Sequence, residues 1–96
     1  MKFTWDEAKR AKVIRDHKVD FARIIDVFGD DFAIEDVDEE HSTEHETRFT
    51  ILGFSRAYGL IFLVYIEPDE SEIHFITARR AENWMVGIYD SSTSKR

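Results

Sequence analysis

The stretch SRAYGLIFLVYIEPDESEIHFITARR, Ser55 to Arg80, decides the fold. Its middle, Leu60 to Ile66, is an unbroken run of branched and aromatic side chains, which reads as a strand buried on both faces and therefore as the centre of a sheet. SRAYG supplies a turn before it, and Pro68, Asp69, Glu70 and Ser71 supply another after it. Glu72 to Ala78 then alternates apolar and polar residues as a further strand. Upstream, Thr47 to Phe54 sets Phe49 and Ile51 between Thr and Arg in the two-residue rhythm of a strand with one wet face. Three neighbouring strands joined by short turns form an antiparallel meander.

Outward from the meander the periodicity becomes helical. Met1 to Thr4 reads as a weak first strand, and Asp6 as the N-cap of a helix to about His17, with Ala8, Ala11 and Ile14 on one face. Asp20 is a second N-cap, and Phe21, Ile24, Ile25 and Phe28 follow at i, i+3, i+4 and i+7, the stripe of a surface helix that Gly29 closes. Phe32 to Glu35 is a weaker strand. Ala81, Trp84, Met85, Ile88 and Tyr89 predict a last helix lying against something apolar. Trp5, Phe21, Phe28, Trp84 and Tyr89 stand at core spacing and are expected inside. The expected fold is α+β: two N-terminal helices, an antiparallel sheet of about four strands with a weak first strand, and a C-terminal helix, the helices gathered on one face. One domain over residues 1–90 is expected, with 91–96, SSTSKR, as a tail outside the fold.

The chain has no cysteine, which excludes disulfides, thiolate metal sites and cysteine nucleophiles and makes the reducing cytoplasm the expected compartment. No apolar run approaches the roughly 20 residues of a membrane span. The net charge of −7 argues at first against nucleic acid, but its distribution changes the judgement. Residues 1–28 carry seven basic and five acidic side chains, residues 29–47 none and nine, and residues 48–96 six and six. The acid is confined to one segment, and the rest of the chain is slightly basic. That segment reads as a solvated loop or as a surface for a basic partner.

No cofactor fingerprint is present, and none is expected. His41 and His45 lie among Glu39, Glu40, Glu44 and Glu46, but histidines and glutamates in a loop are usually solvated, so no metal site is expected. His17 reads as a helix-end residue suited to the dipole, and His74, opposite in phase to Ile73 and Phe75, as solvent-facing. Cleaving RNA without a metal needs a group to take the 2′-hydroxyl proton, another to protonate the leaving 5′-oxygen, and cations for the phosphorane. Arg79 and Arg80, where a strand gives way to the last helix, and Arg48, two residues from Glu46, supply the right types.

Taken together, FTWDEAKRAK (Phe3 to Lys12), HKVDF (His17 to Phe21), HSTEHETR (His41 to Arg48), ILGFS (Ile51 to Ser55), LVYIE (Leu63 to Glu67) and IHFITARRA (Ile73 to Ala81) resemble the BrnT family, the toxin half of type II BrnT/BrnA toxin–antitoxin systems. The resemblance implies a RelE-like fold and a ribonuclease that arrests translation. It also implies neutralisation by a BrnA-like ribbon-helix-helix antitoxin, through which alone the toxin meets operator DNA. It marks Lys9, His17, His41, Glu46, Arg48 and Arg79 as polar positions of the family. On the chemistry above, Glu46 or His41 is the expected general base, Arg48 and Arg79 are expected on the phosphate, and Lys9, Lys12 and Arg80 on the RNA. Two departures stand out. Lys18 follows His17 where the family usually has Gly, and the last helix, AENWMVGIY, is apolar where the family is basic. The second implies either a larger core or an exposed patch that pairs with a second copy. A catalytically silent binding module using the acidic segment and the last helix is the alternative.

Overall fold

In the computed structural model, residues 1–93 are described. They form β1 (Lys2–Thr4), α1 (Glu7–His17), two 3-10 turns (Phe21–Arg23 and Ile25–Gly29), β2 (Ile34–Val37), β3 (Arg48–Ser55), β4 (Gly59–Asp69), β5 (Glu72–Arg80) and α2 (Asn83–Thr93). The sheet has five strands in the order β1-β5-β4-β3-β2, with β4 in the middle. β2 to β5 pair antiparallel, whereas β1 lies parallel to β5, so the sheet is larger than the four antiparallel strands expected and mixed. A short first strand carries too little periodicity to reveal its partner. β4 continues past the expected break at Pro68, because the pairing between Ile66 and Asp69 is irregular there and no ladder hydrogen bond is demanded of the proline.

α1 begins as its sequence dictates, with the Asp6 carboxylate accepting from the amides of Ala8 and Lys9. Its buried face differs from the one expected. Val13 is buried while Ala8, Ala11 and Ile14 are exposed. The helix follows β1 and runs beside β5 near Phe75 and Ile76, and its apolar contact with the core is narrow, made through Val13. α1 ends at Lys18, whose φ of 59° and ψ of 33° are left-handed. That conformation strains a residue with a Cβ by about 1–2 kcal/mol. Lys18→Gly is therefore expected to raise stability by about 1 kcal/mol, read as a higher urea midpoint at unchanged slope.

The second expected helix is two 3-10 turns separated at Ile24. The fully buried residues are Phe21, Ile24 and Val27, a spacing of three that matches three residues per turn. β-branched Ile24, Ile25 and Val27 are indifferent helix formers, and burying them at this spacing outweighs the four-residue bond pattern. Gly53 lets the turn approach β3, since a Cβ there would meet the Val27 Cβ at 3.0 Å. Asp20 caps the first turn through the Ala22 amide, and Arg10 holds it with two hydrogen bonds of 2.8 and 3.0 Å. The Arg10 guanidinium thereby keeps the Asp20 carboxyl below the usual carboxylate range. Asp30 closes the second turn, accepting from the amides of Phe32 and Phe54, and β2 starts two residues later than expected.

The core lies on one face of the sheet, where Val13, Val19, Phe21, Ile24 and Val27 meet Ile51, Ile61, Leu63, Tyr65, Ile73, Phe75 and Ala78. Burial pushes the Tyr65 phenol up to about 12, helped by Glu35 and Glu67. α2 packs against β3 and buries Met85, which with Leu52 stands outside this core. Because Leu52 points away from Ile51, the helical elements are not all gathered on one face. Trp84 is 60% exposed and does not join the core, while Tyr89 is half-buried and donates to Asp30 at 2.6 Å. α2 takes in residues 91–93 of the expected tail, and the remainder of that tail lies outside the described residues.

Candidate functional site

The sheet face opposite the core carries the chemistry. Cross-strand pairing there gives two rows of residues, Leu52–Phe62–Arg79 and Thr50–Val64–Thr77, with Arg48 opposite Ile66 next in line. Arg79 reaches this face through a bulge. Tyr65 pairs with Phe75 but Val64 pairs with Thr77, so Ile76 is an extra residue in β5. Before the bulge Ile73 and Phe75 face the core; after it Ala78 and Arg80 do, and Thr77 and Arg79 turn outward. Uninterrupted alternation would have pointed Arg79 the other way.

The result is a cleft of about 390 Å³ lined by His17, Asp38, His41, Arg48, Phe62, Val64, Thr77, Ala78 and Arg79. His17 comes from the last turn of α1 and His41 from the acidic segment after β2. That segment is tied down. The Asp38 amide donates to the Arg48 carbonyl at 2.8 Å, while the Ser42 hydroxyl donates to the Asp38 carbonyl and accepts from the Arg48 amide. Asp38 Oδ2 lies 2.9 Å from His41 Nδ1. An ionised carboxylate only accepts, so Nδ1 carries the proton of that bond, and in the neutral ring Nε2 is left as an acceptor. The Arg79 guanidinium lies over the Phe62 ring at 5.4 Å and 3.6 Å from Glu82 Oε1. Arg48 Nε is 3.8 Å from Glu46 Oε1.

The other expected site residues fall elsewhere. Glu46 pairs with Arg48 but lines a neighbouring depression with His45, Phe49 and Glu67. Lys9 and Lys12 line a separate groove between α1 and β5 beside His74, and Lys12 is paired with Asp16 at 2.6 Å. Arg80 lies over the ring of Tyr58 at 5.4 Å, sharing it with Arg23, on the core side of the sheet. His74 bonds the Thr4 hydroxyl at 2.8 Å rather than facing solvent freely. Asp38 carried no sequence signal of its own, being one acid among nine; its three-residue spacing to His41 was the only trace. Among the described residues no three His, Asp or Glu side chains gather as metal ligands, and no helix is long and apolar enough to cross a membrane.

A cleft pairing two arginines with two imidazoles, one steadied by a carboxylate, suits an anionic substrate and proton transfer. In structure the chain is similar to the ribonuclease toxin BrnT of Brucella abortus, with a TM-score of 0.65 and 25% identity over 86% of this chain and 99% of that one. No curated protein matches it in sequence. The family model described as "Ribonuclease toxin, BrnT, of type II toxin-antitoxin system" matches residues 5–83, which takes in every residue lining the cleft. The chain belongs to the BrnT family of ribonuclease toxins of type II toxin–antitoxin systems.

Proposed function

We propose that this chain is a metal-independent endoribonuclease that arrests translation in the cytoplasm and is held silent by a ribbon-helix-helix antitoxin, with RelE-like toxins as its wider fold relatives. The observation that carries the reading is the shared cleft of His17, His41, Arg48 and Arg79. A phosphodiester bridging the two arginines has its charge met from both walls, and the negative charge that grows on the phosphorane is stabilised most. His41, steadied through Nδ1 by Asp38, offers Nε2 to the 2′-hydroxyl as general base. His17, from the last turn of α1, serves as the acid that protonates the leaving 5′-oxygen. This replaces Glu46 as the candidate base, since Glu46 lies outside the cleft. Lys9 and Lys12, in the separate groove between α1 and β5, are the candidates to meet a phosphate farther along the strand.

Expression without a cognate antitoxin is expected to stop growth with rapid loss of RNA, and the purified chain is expected to cleave RNA in excess EDTA. Robust growth at high soluble yield would favour the silent binding module instead. Cleavage that EDTA abolishes would overturn the metal-independent chemistry.

A further inference from the structure

The geometry points to Trp84 as a stacking platform for the nucleobase beside the phosphate held at Arg79, an inference that rests on the cleft being an RNA site. Trp84 opens α2 with its indole 60% exposed, one residue beyond the segment the family model matches. The ring is nevertheless oriented. Its Nε1 donates to Glu82 Oε2 at 2.6 Å, and the other oxygen of the same carboxylate lies 3.6 Å from Arg79 Nη1. Arg79 in turn lies over Phe62 on the cleft floor. One carboxylate thus joins an exposed aromatic face to the cation that meets the phosphate.

The electrostatics favour a nucleic acid at this wall. Glu82 is the only acid between Arg79 and Asp90, and both the Arg79 guanidinium and the start of α2 offset its charge. Beyond Arg48 and His41 the acidic segment, residues 29–47 with nine acids and no lysine or arginine, disfavours a polyanion, so a strand leaving Arg79 is directed toward α2. Every base presents a π-face, so the platform would accept single-stranded RNA with little regard to sequence. A base cannot stack on Trp84 while paired in a continuous helix, which makes unpaired RNA the preferred substrate.

The test uses a labelled single-stranded oligonucleotide, fully 2′-O-methylated so that it cannot be cleaved, titrated into the whole chain and into Trp84→Phe and Trp84→Leu. Binding is expected to quench the tryptophan emission of the parent chain and to leave that of Trp84→Leu, which keeps Trp5 packed against Phe21 and Phe75, unquenched. Trp84→Leu is expected to lose at least about five-fold in affinity, and Trp84→Phe less. Both should keep the parent urea midpoint, since the side chain is exposed. Unchanged affinity in Trp84→Leu, or binding without quenching, overturns the platform. So does a Trp84→Leu variant that loses antitoxin binding but keeps the oligonucleotide, for the surface then belongs to a protein partner. A parent chain that binds and is quenched yet leaves unmodified RNA intact sinks the nuclease reading and leaves the platform standing. A parent chain that binds no oligonucleotide overturns both.

Discussion

Arg79→Ala is expected to lower RNA cleavage by about 10²–10³-fold and to abolish growth arrest, with the urea midpoint unchanged. The guanidinium is partly exposed and makes one long ion pair with Glu82, so the folded state loses little with it. The transition state loses a charge-assisted donor at the point where negative charge develops. Arg48→Ala, on the far strand, should fall in the same range, while Arg80→Ala should leave cleavage nearly intact because its guanidinium is spent on Tyr58 across the sheet. Equal activity of Arg79→Ala and parent, in single-turnover assays at saturating RNA, would remove the two-arginine cleft as the seat of catalysis.

Phe75→Ala is expected to cost about 3–5 kcal/mol, a large share of the total stability of a domain this size. Phe75 is the hub of the aromatic core, with ring centroids at 6.0 Å from Phe3, 5.7 Å from Trp5, 5.6 Å from Phe21 and 6.1 Å from Phe28. Removing it opens a cavity bounded by β1, the start of α1 and both 3-10 turns, none of which can close it without losing its own partners. The loss is read as a fall of well over 10 °C in Tm. Phe75→Leu, which fills most of the space, should fall less. A loss under about 1 kcal/mol for Phe75→Ala would mean that this side of the core collapses freely, against the packing described above.

Local chemistry made part of this legible from the chain alone. An aspartate that caps, an apolar run too short for a membrane and too long for a turn, and two-residue alternation each act over a few residues, and α1, β4, β3 and β5 follow from them, although β4 runs on through Pro68. The resemblance to BrnT likewise needed only the order of short segments. Errors arose where one pattern admits two geometries. Phe21, Ile24, Ile25 and Phe28 satisfy a helical stripe, yet burial selected Phe21, Ile24 and Val27 and with them the tighter turn. Trp84 and Met85 both fit the last helix, and only the position of α2 over β3 decided which was buried.

The sequence by itself determined which residue types were available: arginines at both ends of the meander, a histidine closing α1, and another inside the acidic run. It could not say which of them meet, because side-chain direction in a strand depends on counting by two, and a single inserted residue reverses the count. Ile76 is that residue. The bulge at Ile76 turns Arg79 toward Arg48 and sends Arg80 to the core side, and the pinned loop brings Asp38 and His41 over the same face. Both are consequences of strand pairing across the sheet, which only the assembled tertiary structure specifies.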